Sequence, residues 1–394
     1  FDDSELVNEV QLFKSESVMQ RALEANNSED TEIRTTAKPL FASARDGLKL
    51  LAAMETFPKR DEALFNQAIC ESQLGNRESA ANLYVQLTEQ IPASPFAESS
   101  ALSAGKLFFR IKDYPQAEKW LAKATSTNGN NFAQASHWLC RCLLRQKKSA
   151  AAAKLATQAL TKVKDTDFLV QLKMDQADAI FELPDRKPDT IELYQALAKD
   201  HPNHELAPQA LYNAAFAAME LKQFEVAQSA AESFLEQYSK DTFVPDVKYV
   251  QAECLLLTKK YTQAEQLYLN LIESHPEASD LNAWRVRCGL TKYLQDKYAD
   301  TITFLVEIVK ELKEPQFKSE AQFLLGACEF YQEKFSRSII HLKQAVEFGD
   351  QLKQIDEALI LLGQAYASET KFKQAVKILS RILSDHQTSR FVTQ

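Results

Sequence analysis

Small residues, aromatic anchors and large apolar residues recur along this chain in a fixed order. An anchor is followed three positions later by Ala, as in Tyr114/Ala117, Phe224/Ala227, Tyr261/Ala264 and Phe372/Ala375. Tyr298/Thr301 and Phe335/Ser338 keep the spacing with a substitution, and Lys187/Thr190 is a degenerate copy. The anchors 187, 224, 261, 298, 335 and 372 are each 37 residues apart, and Arg77/Ala80 lies 37 before Tyr114. One copy, near Lys148/Ala151, breaks step. Self-similarity at a fixed period of this length is the mark of a repeat architecture.

Each period carries the same internal pattern. Nine residues before the anchor sits a small residue: Ala68, Gly105, Ala215, Ala252, Gly289, Gly326 or Gly363. Seven after it sits a large apolar one, such as Leu121, Tyr268, Leu305, Leu342 or Leu379, and ten after it Leu87, Leu197, Phe234, Leu271 or Ile382. Pro92, Pro202 and Pro276 stand fifteen after their anchors, where a helix must stop. The pattern predicts two antiparallel helices per repeat, A before the anchor and B after it. The small residues let the pair close up, and the large ones at +7 and +10 face the seam with the next repeat. About nine such pairs fill 58–394. Residues 1–57 fall outside the register: one helix around Leu6–Leu23, an acidic polar linker, and a second helix over about 40–55 that stops at Pro58. They read as an N-terminal cap or a degenerate first repeat.

The small–aromatic–Ala–aromatic–Pro order resembles the tetratricopeptide repeat (TPR), as in "LYNAAFAAMELKQFEVAQSAAESFLEQY" and "YVQAECLLLTKKYTQAEQLYLNLIESHP". The resemblance covers roughly residues 60–386. It implies an all-α, right-handed α-α superhelical solenoid. The period is 37 rather than the family's 34, with the surplus between repeats, and the Trp expected early in helix A is replaced by Leu64, Ala101, Leu211 or Leu359. The longer loops, "HPEAS" and "IPASP", look like those of bacterial cell-envelope TPR proteins, such as the β-barrel assembly lipoprotein and the Tol–Pal coordinator.

Composition agrees with an all-helical chain. Only 8 of 394 residues are glycine, about 2% against an ordinary 7%. That leaves few for phosphate-binding turns or hairpins. The net charge of -8 lies mostly in residues 1–35, and no basic stripe of the kind nucleic-acid binders carry is present. No apolar run approaches the 18 residues a membrane-spanning helix needs. The chain begins at Phe1 rather than Met, so it reads as a processed or cut product. The last helix B stops near Ser384. The remaining tail is too short to cover it, which would leave Leu379 and Ile382 at an open seam. This predicts either a longer array or self-association through the C-terminal end.

Catalytic chemistry is not legible. The sequence holds no Walker motif, dinucleotide fingerprint, nucleophile elbow or zincin motif. His201 and His204 in "DHPNH" are the nearest approach to a metal pair, and a loop role before Pro is the simpler reading. Acidic pairs such as Asp241/Asp246 and Glu314/Glu320 read as solvated faces. Cys70, Cys254 and Cys328 all stand seven before their anchors, where other repeats have Ala217 or Ala365. They read as small buried hydrophobes. Cys140 and Cys142, two apart on one helix, should point to different sides. No cofactor or metal is expected, and the chain reads as no enzyme. Unpaired thiols point to a reducing compartment such as the cytoplasm, the loop resemblance to the periplasm or cell envelope.

In TPR arrays helix A lines the concave surface. The residues twelve and five before each anchor, with neighbours eight before, form an apolar and aromatic stripe: Phe109, Tyr212, Phe216, Met219, Tyr249, Leu256, Leu290, Tyr293, Phe323 and Phe330. Solvated helix faces are normally polar. The stripe is therefore expected to bind a protein or peptide partner, or else to pack on neighbouring repeats. The clamp of Lys, Asn and Arg that some TPR domains use for C-terminal carboxylates is replaced by Tyr212, Phe216, Tyr249 and Glu253. The expected function is a non-catalytic scaffold. The alternative is an accessory module of an envelope assembly or enzyme complex whose active part lies elsewhere.

Overall fold

A computed structural model describes residues 3–127, 129–164 and 167–385. These form twenty-one α-helices, and no strand occurs among the described residues. The chain divides into two compact units, 1–207 and 208–394.

The first unit opens with α1 (Asp3–Asn26), the short α2 (Thr31–Thr35) and α3 (Ala37–Ala52). The expected linker is thus largely helical, and Pro39 is accommodated in the first turn of α3, where its missing N–H has no intrahelical role. α1 packs on α3, and α3 on α4 (Arg60–Gln73). Pairs follow: α4 with α5 (Arg77–Gln90), α6 (Ala97–Arg110) with α7 (Tyr114–Ser126), α8 (Phe132–Arg145) with α9 (Ser149–Leu160), and α10 (Leu169–Phe181) with α11 (Asp189–Asp200).

The second unit holds five pairs. α12 (Ala207–Glu220) leads into α13 (Phe224–Gln237), α14 (Val244–Leu257) into α15 (Tyr261–Ser274), and α16 (Leu281–Tyr293) into α17 (Tyr298–Glu311). α18 (Pro315–Tyr331) and α19 (Phe335–Glu347) precede α20 (Ile355–Ser368) and α21 (Phe372–Asp385).

The anchor is the first residue of helix B in α7, α13, α15, α17, α19 and α21. Two residues earlier the chain reverses through a single left-handed residue: Lys112, Lys222, Lys259, Asp296, Glu333 and Thr370, with Gly75 in the first such turn. The helix ends there with reverse backbone bonds, Lys222 N–H to Met219 C=O and Gln223 N–H to Ala218 C=O. This is the usual way a helix C-terminus satisfies its last carbonyls. The scarcity of glycine is therefore met by forcing ordinary side chains into a conformation glycine would adopt freely.

The small residue of helix A lies against its own helix B. A Cβ on Gly326 would fall 2.6 Å from Leu342 Cγ, and one on Gly289 2.7 Å from a Leu305 methyl. The +7 residues therefore fill the space inside their own pair, not the seam with the next repeat as the spacing suggested. The +3 position is buried in every copy but Lys148/Ala151, where Ala151 is exposed and Ala152, three past the first residue of α9, fills the slot. Where it is Ser338, the hydroxyl is satisfied by the Gly326 carbonyl at 2.8 Å. Pro92, Pro202 and Pro276 stand two residues beyond α5, α11 and α15.

All six cysteines are buried and unpaired. Cys140 faces the Ala152 carbonyl on α9 (3.7 Å) and Cys142 the Tyr114 carbonyl on α7 (3.3 Å), opposite sides of α8. On α21, Ile382 is buried and Leu379 half-buried over Gly363. The exposed apolar residues there are Phe372, Val376 and Leu383, a turn around the helix from those expected.

Candidate protein-docking face

In the second unit the expected stripe occupies one face of α12, α14, α16 and α18. Tyr212, Phe216, Met219, Tyr249, Leu290, Tyr293 and Phe330 are half-buried there. Leu256 and Phe323 are buried, so they support the face rather than line it. The reason is local packing: Phe323 lies edge-on beneath Tyr293, and Leu256 belongs to the core that includes Tyr268 and Trp284.

The aromatic side chains engage one another from repeat to repeat. Tyr212 stacks on Phe243, the residue before α14, at 5.3 Å and 16°. Tyr298 and Tyr331 stack at 5.1 Å and 18°, with Tyr293 tilted against both. The Tyr293 hydroxyl reaches Glu357 at 3.5 Å, two repeats on. Burial, Tyr331 and Glu357 all hold the Tyr293 phenol well above its ordinary range, so it stays a neutral donor.

Between the rings runs a network the sequence reading did not foresee. The Tyr268 hydroxyl donates to Glu253, Arg287 Nε lies 3.1 Å from Glu253, and Arg287 also reaches Glu320 at 3.4 Å. Burial pushes the Glu320 carboxyl up, with Arg287 and Lys353 opposing it. Glu320 and Asp246 are half-buried, not the solvated acids expected of loop-flanking residues. Burial, then Asp280, pushes the Asp246 carboxyl up.

A second row was also missed. Leu257, Leu294 and Tyr331, four before their anchors, are exposed at 53, 38 and 47%. They recur at the 37-residue spacing and so were visible in principle. Counting only positions −12, −8 and −5 passed over the outer side of the last turn of each helix A.

In the first unit, Phe109 is half-buried, edge-on to Tyr114 and Trp138, with Lys106 over the Trp138 ring. Beside it His137 Nδ1 meets the buried Asp175 at 2.7 Å, and Arg141 pairs with Asp178 at 3.0 Å. Cys140 turns its thiol to the Ala152 carbonyl, and burial, with the Asp175 charge added to it, keeps the thiol protonated. His201 accepts from Lys173 at 3.0 Å and His204 Nδ1 accepts the Leu206 N–H at 3.1 Å, so both rings serve the turn at Pro202. Among the described residues no cluster of three or more His, Cys, Asp or Glu side chains could hold a metal ion, and no helix is long and apolar enough to cross a membrane.

Tetratricopeptide repeat models match residues 212–279 and 357–389. No curated protein matches the chain in sequence. Among solved structures, apo RapI is similar with a TM-score of 0.52 at 14% identity, over 89% of this chain and 99% of that one. The C-terminal part of a TPR repeat-containing protein from Cytophaga hutchinsonii is similar with a TM-score of 0.50 at 14% identity, over 65% and 98%. A tetratricopeptide repeat protein from Parabacteroides merdae gives 0.48 at 18% identity, over 67% and 98%. With its helix pairs and left-handed turns the chain is an all-α solenoid, and its segments 212–279 and 357–389 match the tetratricopeptide repeat.

Proposed function

We propose that the chain is a non-catalytic scaffold that holds a segment of a protein partner along the helix-A face of its second unit. The observation that carries this reading is the run of half-buried Tyr212, Phe216, Met219, Tyr249, Leu290 and Tyr293 across consecutive repeats. Such side chains offer large contact area at low entropic cost, and binding surfaces are enriched in them. Leu257, Leu294 and Tyr331 extend the same surface outward. Phe109 offers a smaller surface of the same kind on the first unit. Repeats of this family serve as protein-interaction scaffolds, which supports the reading. The site is a surface rather than an enclosed pocket, and Glu253, Arg287 and Glu320 within it engage one another across helices.

Site-specific photo-crosslinking tests it. A benzophenone side chain at Met219 or Leu290 should capture a discrete partner from extracts of the native host. One at Val226, exposed on helix B of the same unit, should not. Equal capture from Val226, or none from either helix-A position, would refute the assignment of the face.

A further inference from the structure

Two helices each leave an apolar row uncovered. On α21 the row is Phe372, Val376, Leu379 and Leu383, spaced four, three and four residues apart, with Leu379 half-buried and the rest exposed. On α1 it is Leu6, Val10 and Phe13, spaced four and three apart, with Val7 beside them. All four are exposed, Phe13 by 74%. Neither row serves the fold of its own unit. α1 buries Leu12, Met19 and Ala22 in a core with Phe41 and Leu48 of α3, and α21 buries Ile382 in a core with Leu359 and Leu362 of α20. Spacings that alternate between four and three residues make the seam along which one helix packs lengthwise on another. The pattern on both rows thus calls for a helix as the occupant.

Charge decides which helix. The flank of the α21 row away from its core carries Lys373 and, behind it, Lys377, both exposed and neither in an ion pair among the described residues. Arg381, further along, is turned to Asp385 at 3.7 Å. The α1 row has one acidic flank, Glu5 and Glu9, and one flank of Val7 and Lys14. Glu9 stands 3.6 Å from Lys59 in an open surface pair, which leaves its carboxylate able to take a second cation. A second α21 offers the α21 row only another basic flank. The two rows differ in sign, so each fits the other better than itself. The same charges set the alignment. Side by side and parallel, the α21 lysines meet Glu5 and Glu9. Antiparallel, Lys373 meets Lys14.

We propose that α21 of one copy of this chain packs lengthwise and parallel on α1 of a second copy. Such a contact is heterologous. Each joined pair keeps one free α1 and one free α21, so association passes beyond two copies unless the arrangement closes. The contact uses no residue of the partner-docking face and stands or falls apart from it.

Cysteine cross-linking between copies tests it. Val10→Cys and Val376→Cys, carried on separate copies and mixed under mild oxidation, should join to each other as the main product. The six native thiols are buried and stay out of the reaction. Lys373→Glu with Lys377→Glu should keep the chain monomeric in light scattering, and so should Glu5→Lys with Glu9→Lys. An equimolar mixture of these two double variants should associate again, because the acidic α21 of one then meets the basic α1 of the other. Lys373 and Lys377 are exposed and Glu5 and Glu9 half-exposed, so both variants should melt with the parent. A strictly monomeric parent at high concentration, or Val376→Cys joined chiefly to itself, would overturn the inference. So would double variants that associate as the parent does, or a mixture of the two that stays monomeric.

Discussion

At the turn between helix A and helix B, one residue carries the reversal, and its left-handed backbone is paid for by the surrounding helix pair. Lys222 has φ 60°. Such a conformation costs an ordinary side chain on the order of 1 kcal/mol or more. Lys222→Gly should therefore raise the denaturation midpoint, by up to about 1 kcal/mol after glycine's greater unfolded-state entropy is subtracted. Lys222→Ala, which keeps the Cβ, should give no such gain, and equal effects of the two would show that strain is not what the turn stores. The opposite sign is expected at Gly326, whose added Cβ would meet Leu342 Cγ at 2.6 Å and the Leu342 backbone nitrogen at 2.9 Å. Backbone cannot swing aside as a side chain can. Gly326→Ala should cost roughly 1–3 kcal/mol by overpacking, read as a shift in urea midpoint. An unchanged midpoint would mean that the two helices can part without cost.

Between elements, two buried glutamates pull stability in opposite directions with pH. Glu265 on α15 receives Lys292, Lys297 and Gln295 from α16 and the turn after it. Burial alone would raise it, yet these partners outweigh burial and hold the carboxyl at about 2. Its contribution is present above the ordinary carboxylate range and fades as pH falls toward 2. Glu329 on α18 is 3% exposed, and one of its oxygens is buried without a hydrogen bond. Burial raises it from 4.5 to about 7, against the opposing charges of Arg337 and Lys334. His341 Nε2 stands 3.8 Å away, its other nitrogen engaged by Gln322. A raised carboxyl contributes stability below its unfolded value, and that stability is lost as pH climbs through about 7. Glu329→Gln should therefore stabilise the chain at pH 8 by up to about 3 kcal/mol and have little effect near pH 4. Melting curves at the two pH values decide it, and an equal shift at both would show that the side chain's charge is irrelevant.

Over the whole molecule, the thiols report how far the repeats open. Burial raises Cys254 to about 11 and Cys70, Cys288 and Cys328 to about 12. The thiolate is the reacting form, so none of the six should label quickly with a thiol reagent in native protein. Labelling should instead follow local or global opening and accelerate in denaturant. Rapid stoichiometric labelling of all six in buffer would contradict the burial described above. The exposed apolar row on α21 makes a second prediction at this scale. Phe372, Val376 and Leu383 are 63, 65 and 57% exposed. The chain as given should self-associate with rising concentration, and Val376→Lys should suppress this in light scattering. Identical scattering by parent and variant would exclude that surface.

The period of 37, the small residue at −9 and the anchor at the start of helix B were all legible in the chain, because helix pairing is governed by local spacing and side-chain size. The same logic placed Cys70, Cys254 and Cys328 in buried slots. What spacing could not tell was which neighbour a large residue meets. Leu342 reaches its own glycine rather than the next repeat, because the backbones of a pair come closer to each other than to the following pair. Nor could it separate Tyr249, half open, from Phe323, closed over by Tyr293, since both occupy the same register position and differ only in what neighbouring repeats lay on them. The Tyr268–Glu253–Arg287–Glu320 network joins side chains from four helices, with Glu253 and Arg287 standing 34 residues apart. Charges 34 residues apart carry no sequence signal of their proximity, so only the packing of successive repeats brought them to one face.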